Sequence, residues 1–290
     1  MDSITVNAYA KINLGLDVLR RRADGYHDVR MIMQSLDLHD IITITKLPTE
    51  GITIKTNLSY LPNDQGNLIY KAAALFLDTL SLEEGLDLKL EKNIPVAAGL
   101  AGGSSDAAAT LKGLNTLYQA GLSTEELMKL GVKIGADVPY CLMLGTALSE
   151  GIGELLTPLS PIPSCYILLV KPDISVSTRY VYENLRLTDT LLHPDIARIR
   201  ASLETGDLNT LSRNMDNILQ SVTTKDYPII NEIKHKMLEL GALTSLMSGS
   251  GPTVFGIYKD AELARNSLNY FLRHKHFGKQ VFLTRPYWPE

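Results

Sequence analysis

The sequence is poor in cysteine, carries no excess of positive charge and contains no long apolar run. Its 290 residues include two cysteines, Cys141 and Cys165, and both lie in apolar segments, which favours buried free thiols over a disulfide or a metal site. The formal net charge of −4 argues against a general nucleic-acid-binding protein, because affinity for the phosphate backbone requires a basic surface. This charge does not exclude binding of a single nucleotide, which needs only a few local donors.

The start of the chain also lacks the basic segment and the apolar core of a signal peptide. No apolar run approaches the roughly 18 residues needed to cross a bilayer. We therefore expect a cytoplasmic protein with neither a membrane nor a nucleic acid as partner. The length allows two ordinary domains, and three prolines between Thr157 and Ser164 place the predicted boundary between domains 1–157 and 158–290.

The apolar pattern predicts an α+β fold. Every even position from Ile4 to Val18 is apolar, which indicates a strand with one buried face, bent or broken near Gly15. Further strands are predicted at 31–36, 41–46, 52–56 and 86–91, and helices at 67–80, 107–118 and 123–130. Beyond residue 164 the order strand, helices, strand, strand, helix, strand favours an antiparallel sheet covered by helices. Pro139 discourages a helix at Val138, so Asp137 is expected in a loop or at the start of a strand.

The segment from Pro95 to Ala107 holds three glycines and two serines between a predicted strand and a predicted helix. Backbone N–H groups in such a loop, together with the helix dipole, favour an anion such as phosphate. The segment matches neither the Walker A motif nor the dinucleotide fingerprint. A tight turn that leads into a well-packed helix is the alternative interpretation. Because Ala101 lacks the freedom of glycine, we expect ordinary backbone angles there.

Several motifs resemble those of the GHMP kinase superfamily. The segment Pro95–Ala107 is similar to its ATP loop, Lys11–Leu16 to its N-terminal motif and Ser248–Gly256 to its C-terminal motif. Arg22–His27 and the Gly-Ala-Asp-Val-Pro segment around Asp137 are similar, in order and spacing, to members that act on a cytidyl diphosphate sugar-alcohol. The resemblance implies a two-domain fold, with an N-terminal domain like ribosomal protein S5, a C-terminal ferredoxin-like layer and an active site in the cleft between domains.

The resemblance also implies an ATP-dependent kinase that phosphorylates a tertiary 2-hydroxyl group. Asp137 would be the base or orienting carboxylate, and Lys11 the cation that holds it ionised. The ATP loop would comprise Pro95, Val96, Ala97, Ala98, Gly99, Leu100, Ala101, Gly102, Gly103, Ser104 and Ser105. Ser104 or Ser105 could bind phosphate or Mg²⁺; since the sequence shows no carboxylate cluster, we expect the metal to arrive with ATP. On residue type alone, Asp137 could equally be a turn or cap residue, and Lys11 a surface lysine.

The remaining family positions concern the two ligands. Tyr26 and His27 match the pair that meets cytosine, and Tyr182 matches the opposing aromatic, with Tyr180 as a competitor. An exposed pair and a core tyrosine are the ordinary alternatives. The remaining matched positions are Thr178 beside the cytosine site, Asn13 at the acceptor end, and Asn67 and Lys92 on the adenine side.

Two other functions compete with this interpretation. The first is another small-alcohol kinase of the superfamily, such as a homoserine or mevalonate kinase. The Tyr26–His27 pair argues against it, because the substrates of those kinases have no base to stack on these side chains. A non-catalytic nucleotide or sugar-phosphate sensor would need neither Lys11 nor Asp137. We expect a monomer or a weak homodimer.

Overall fold

The computed structural model of the protein describes residues 2–188 and 191–289. The chain forms two compact units, and each unit draws on distant parts of the sequence. The first unit comprises Met1–Ala10, Leu38–Val96 and Ala101–Leu144, and the second comprises Lys11–Asp37, Ala97–Leu100 and Gly145–Glu290. The predicted domain boundary at 157/158 stays a prediction.

The strands are β1 (Ser3–Arg21), β2 (His27–Leu47), β3 (Ile52–Thr56), β4 (Gly85–Glu91), β5 (Thr146–Gly151), β6 (Leu155–Pro158), β7 (Tyr166–Lys171), β8 (Asp216–Asn217), β9 (Thr244–Met247), β10 (Val254–Tyr258) and β11 (Gln280–Thr284).

The helices are α1 (Leu68–Thr79), α2 (Gly102–Leu117), α3 (Thr124–Val132), α4 (Val138–Met143), α5 (Thr178–Asn184), α6 (Ile196–Thr205), α7 (Leu208–Asn214), α8 (Gln220–Asp226), α9 (Ile229–Glu239) and α10 (Ala261–Arg273), with a 3₁₀ turn at Lys275–Phe277. No helix within residues 2–188 and 191–289 is both long enough and apolar enough to cross a membrane.

In the first unit, helices pack beside a small sheet. The C-terminal half of β2 pairs antiparallel with β4, and β4 pairs parallel with β3. Helix α2 packs against α1 and α4, and its buried alanines allow this close approach. The predicted capping box is confirmed: Ser123 and Glu126 each bond the other's backbone N–H at the start of α3.

In the second unit, the predicted antiparallel sheet is confirmed. Its four strands lie in the order β11, β7, β10, β9, and α9 and α10 pack against them. Separately, the N-terminal half of β2 pairs antiparallel with β5, and β1 pairs parallel with β8 at Gly15 and Leu16.

Two local expectations were wrong in part. Strand β1 continues through Gly15 without a break. A Cβ atom at Gly15 would lie 2.6 Å from Ile199 Cδ1, so this glycine allows the close packing of α6. Asp137 lies in a turn, as expected, but helix α4 begins directly after it at Val138, with Pro139 in its first turn. A proline there removes no helical hydrogen bond, because first-turn N–H groups have no helical partner.

Candidate functional site

The glycine-rich loop passes through alternating left-handed residues. Ala97, Gly99 and Ala101 have φ values of +50°, +75° and +56°. The expectation of ordinary angles at Ala101 was therefore wrong. Helix α2 begins at Gly102, and the Ala101 carbonyl accepts the Ser105 N–H at 2.8 Å, so this left-handed residue is the N-cap of the helix. For alanine this conformation costs roughly 1–2 kcal/mol.

The two serines of the loop lie in different environments. The Ser105 hydroxyl is buried, donates to the Tyr9 carbonyl at 2.6 Å and lies 3.3 Å from Cys141 Sγ. Ser104 is half-buried in the first turn of α2. Because the helix begins at Gly102 rather than near Ser105, its first N–H groups come from Gly102, Gly103 and Ser104.

Lys92 lies in a buried ionic cluster beside this loop. Its ammonium donates to Asp106 Oδ2 at 2.8 Å and to Asp40 Oδ2, while Asp40 Oδ1 accepts the N–H groups of Asn93 and Ile94. Burial raises the pKa of the Asp106 carboxyl well above its usual range, against the attraction of the Lys92 ammonium and with the help of the nearby Asp40 carboxylate. Burial opposes a raised pKa at Lys92, and the charges of Asp106 and Asp40 overcome it. The cluster therefore connects Ile94, just before the loop, with Asp106, just after it.

Asn67, the other residue predicted on the adenine side, caps helix α1. Its side chain accepts the Ile69 N–H at 3.2 Å and donates to the Pro62 carbonyl at 2.9 Å. The adenine-side roles of Asn67 and Lys92 stay predictions, and both side chains already hold local structure.

Lys11 and Asn13 are brought together on one face of β1. The Lys11 ammonium donates to Asn13 Oδ1 at 2.8 Å, and both side chains are buried. The Asn13 amide also donates to Met31 Sδ at 3.5 Å. The Lys11 N–H donates to the Leu100 carbonyl at 3.1 Å, which fixes this part of β1 to the glycine-rich loop. A buried ammonium with a neutral partner is suited to meet an incoming anionic group.

Asp137 is half-buried at the start of α4, and its side chain makes no capping hydrogen bond to that helix. The side chain of Asp137 therefore does not cap the helix, and the residue lies in the turn before α4.

The second glycine loop, Ser248–Pro252, touches the first. Ser248 Oγ donates to the Gly99 carbonyl at 2.9 Å, and a Cβ atom at Gly99 would lie 2.1 Å from the Ser248 carbonyl oxygen. Only glycine fits this approach. Asn217 donates its side-chain amide to the Gly249 carbonyl of this loop at 2.8 Å. The sequence does not predict this contact, because no local pattern distinguishes Asn217 from a turn asparagine.

Two of the aromatic residues predicted around cytosine, His27 and Tyr182, lie close together. The rings of His27 and Tyr182 lie 5.3 Å apart at an interplanar angle of 42°, whereas Tyr26 is 59% exposed. Burial, with a smaller effect of the Arg21 charge, lowers the pKa of His27, so its imidazole is neutral at pH 7. Tyr180 is exposed and donates to Asp226 Oδ2 at 3.1 Å.

Thr178 lies one turn before Tyr182 on α5, and its hydroxyl forms a 2.8 Å hydrogen bond with Ser250 Oγ. The second glycine loop therefore also contacts the helix that carries the predicted aromatic residue. Within the described part of the chain, no group of three or more histidine, cysteine, aspartate or glutamate side chains is arranged to hold a metal ion.

Comparisons with known proteins find two matching family models and relatives that match along the whole chain. Residues 67–145 match the family model of the GHMP kinases N terminal domain, and residues 199–274 match that of GHMP kinases C terminal. The chain is 56% identical to 4-diphosphocytidyl-2-C-methyl-D-erythritol kinase of Lachnoclostridium phytofermentans, covering 98% of both chains. It is 53% identical to the protein of the same name from Lachnospira eligens, covering 100% of both. A crystal structure of 4-(cytidine 5'-diphospho)-2C-methyl-D-erythritol kinase is similar with a TM-score of 0.83 and 32% identity, covering 99% of this chain and 100% of that one.

Proposed function

We propose a reaction for this chain, which belongs to the GHMP kinase family and has its two-domain fold. It transfers the γ-phosphoryl group of ATP to the 2-hydroxyl of 4-diphosphocytidyl-2-C-methyl-D-erythritol, a step in isoprenoid precursor synthesis. Relatives of that name match the chain along its whole length, at 56% and 53% identity. The observation in the site that supports this acceptor is the pairing of His27 with Tyr182.

Phosphoryl transfer depends mainly on positioning and on electrostatic stabilisation. Asp137 accepts the proton of the acceptor hydroxyl or orients that hydroxyl for attack. Lys11 supplies the positive charge, and Asn13 holds the Lys11 ammonium in place through the 2.8 Å hydrogen bond. The hydroxyl oxygen forms the new bond to phosphorus as the bond to the leaving oxygen of ADP breaks.

The glycine-rich loop, residues 95–105, binds the phosphates of ATP. The open N–H groups of Gly102, Gly103 and Ser104 at the start of α2 favour anionic oxygens. Ser104, rather than Ser105, is the serine for phosphate or Mg²⁺, since Ser105 is buried and its hydroxyl proton is donated to the Tyr9 carbonyl, whereas Ser104 is half-buried. A hydroxyl oxygen suits Mg²⁺, which prefers oxygen ligands and takes the others from phosphate and water. When bound, the metal neutralises charge on the phosphates.

The cytosine lies against Tyr182 and His27, with Tyr26 covering it from the exposed side. A neutral imidazole can both accept and donate a hydrogen bond at the polar edge of a pyrimidine. Tyr180 is less suited to this role because its hydroxyl is bonded to Asp226. A homoserine or mevalonate kinase would have no use for this ring pair. We also propose a monomer or weak homodimer in the cytoplasm.

The function is tested by incubating the purified protein with ATP, Mg²⁺ and the cytidyl substrate. The expected product is heavier than the substrate by one phosphoryl group, carries it on the 2-oxygen in phosphorus NMR, and forms with one ADP each. ATP hydrolysis without a phosphorylated acceptor would contradict the proposal. So would transfer to mevalonate or homoserine in preference to the cytidyl substrate.

A further inference from the structure

Asn217 is a fully buried asparagine next to the second glycine loop. It ends the short strand β8, which lies beside Gly15 and Leu16 of β1. Its side-chain Nδ2 donates to the carbonyls of Met247 and Gly249, each at 2.8 Å, and its Oδ1 accepts the Leu219 N–H at 3.0 Å. The amide therefore donates one N–H to Gly249 within the loop and the other to Met247, the residue of β9 that directly precedes the loop.

The loop that Asn217 holds contacts three parts of the proposed machinery. Ser248 Oγ donates to the Gly99 carbonyl of the ATP loop. A Cβ atom at Gly249 would lie 3.6 Å from the Lys11 ammonium and 3.3 Å from the Gly99 oxygen. Ser250 Oγ bonds Thr178. A displacement of this loop would therefore move groups on the nucleotide side and the acceptor side together.

Other side chains support the loop less closely. Gln220 Oε1 accepts the Met247 N–H at 3.2 Å, and Thr223 Oγ1 lies 3.3 Å from the Ser250 carbonyl. Each makes a single longer bond to the loop or to Met247 just before it, whereas Asn217 makes two bonds at 2.8 Å, one to Met247 and one to Gly249. An asparagine is also specifically required by this geometry. Aspartate has the same shape but would place a carboxylate oxygen against two carbonyl oxygens.

We propose that Asn217 is a positioning residue for phosphoryl transfer, because it fixes the Ser248–Pro252 loop against Gly99 and the Lys11 ammonium. Its contribution to the reaction is through this loop, and it touches neither substrate. The proposal rests on the proposed kinase function.

The test compares Asn217→Asp, Ser248→Ala and the double variant, with Asn214→Asp as a matched control. Asn214 donates its amide to Ser202 at 3.0 Å in α6, away from the loop. Steady-state kcat and both KM values are measured per folded molecule, with the folded fraction taken from circular dichroism. The parent protein is assayed first, so failure to phosphorylate the cytidyl substrate contradicts the proposed function before any variant is compared.

We expect Asn217→Asp to lower kcat by about 10²-fold, the scale of a misplacement near 1 Å, with a smaller change in the KM for the cytidyl substrate. Ser248→Ala lowers kcat by less. Because both act through one loop, the double variant should lose little more than Asn217→Asp alone. The control keeps the parental kcat.

Three results would overturn the proposal. The first is a parental kcat per folded molecule in Asn217→Asp, which leaves only a structural role. The second is additive losses of kcat in the double variant. The third is an unchanged kcat in Ser248→Ala, and this result decides the matter even if Asn217→Asp does not fold.

Discussion

The buried cluster of Lys92, Asp40 and Asp106 offers a sharp test of the energetics beside the ATP loop. Two carboxylates share one ammonium, and the side chains are almost fully buried. Replacing Lys92 with methionine keeps much of the volume and removes the only charge that the two acids are bonded to here. Breaking a buried ion pair by removal of one partner costs about 3–5 kcal/mol, since a charge is left uncompensated. We therefore expect Lys92→Met to lose that much free energy of unfolding.

This loss is a large fraction of the total free energy of unfolding of a domain. Domains are stable by roughly 5–15 kcal/mol, so the variant should unfold at a much lower urea concentration at pH 7. Lys55→Met is the control, because Lys55 pairs with Asp87 on the surface at 3.3 Å and is 73% exposed. Exposed pairs contribute about 0–1 kcal/mol.

Substitution of Asp106 should change the free energy of unfolding in the opposite direction. Its pKa is raised on folding, so the favourable contribution is present below the unfolded pKa and is lost as the pH rises through the folded pKa. Asp106→Asn should therefore be at least as stable as the parent at pH 7, and its advantage should shrink as the pH falls towards 4. A Lys92→Met variant that loses no more than Lys55→Met, or an Asp106→Asn variant that loses as much as Lys92→Met, would refute this reasoning.

Three further predictions concern the loop, the base and the cytosine site. Ala101→Gly should raise the free energy of unfolding by about 1 kcal/mol because it relieves a left-handed alanine, whereas Ala74→Gly inside helix α1 should lower it by about as much, both measured by urea unfolding. Asp137→Asn should keep ATP binding in calorimetry and lose at least about 10²-fold in kcat; near-parental turnover would remove Asp137 from the mechanism. The lowered pKa of His27 means that its imidazole gains a proton only below the usual range, so the KM for the cytidyl substrate should be flat between pH 7 and 8 and rise only as the pH falls below about 6.5. If the KM of the His27→Gln variant rises at low pH as the parental KM does, a group other than His27 is responsible.

Much of the fold could be predicted because its signals are local. The alternation from Ile4 to Val18 indicates β1, and the Ser123–Glu126 spacing fixes the start of α3. The strands and the final helix of the C-terminal sheet follow from apolar runs bounded by turn residues. Strand β1 has no break at Gly15. The reason for this glycine is the close packing of Ile199 in α6, which is distant in the sequence and gives no local signal.

For the site, too, local motifs predict some residues, whereas others depend on contacts with distant parts of the chain. Family motifs predict Lys11 and Asn13, and the structure places them in contact, although their roles stay predictions. The conformation of Ala101 and the bonds of Asn217 depend on distant chain segments, and residue type does not indicate them. The different environments of Ser104 and Ser105 likewise depend on the carbonyl of Tyr9, far from both in the sequence.

We propose that the cytosine pocket selects the acceptor of this kinase. The most direct measurement compares kcat/KM for the cytidyl substrate with kcat/KM for the same sugar-alcohol phosphate lacking the cytidylyl group. Stacking of a base on an aromatic side chain contributes about 1–3 kcal/mol, so the cytidyl substrate should be favoured by roughly 5- to 150-fold, and Tyr182→Ala should remove most of that preference. Equal kcat/KM values for the two acceptors, or a preference that survives in Tyr182→Ala, would contradict the account.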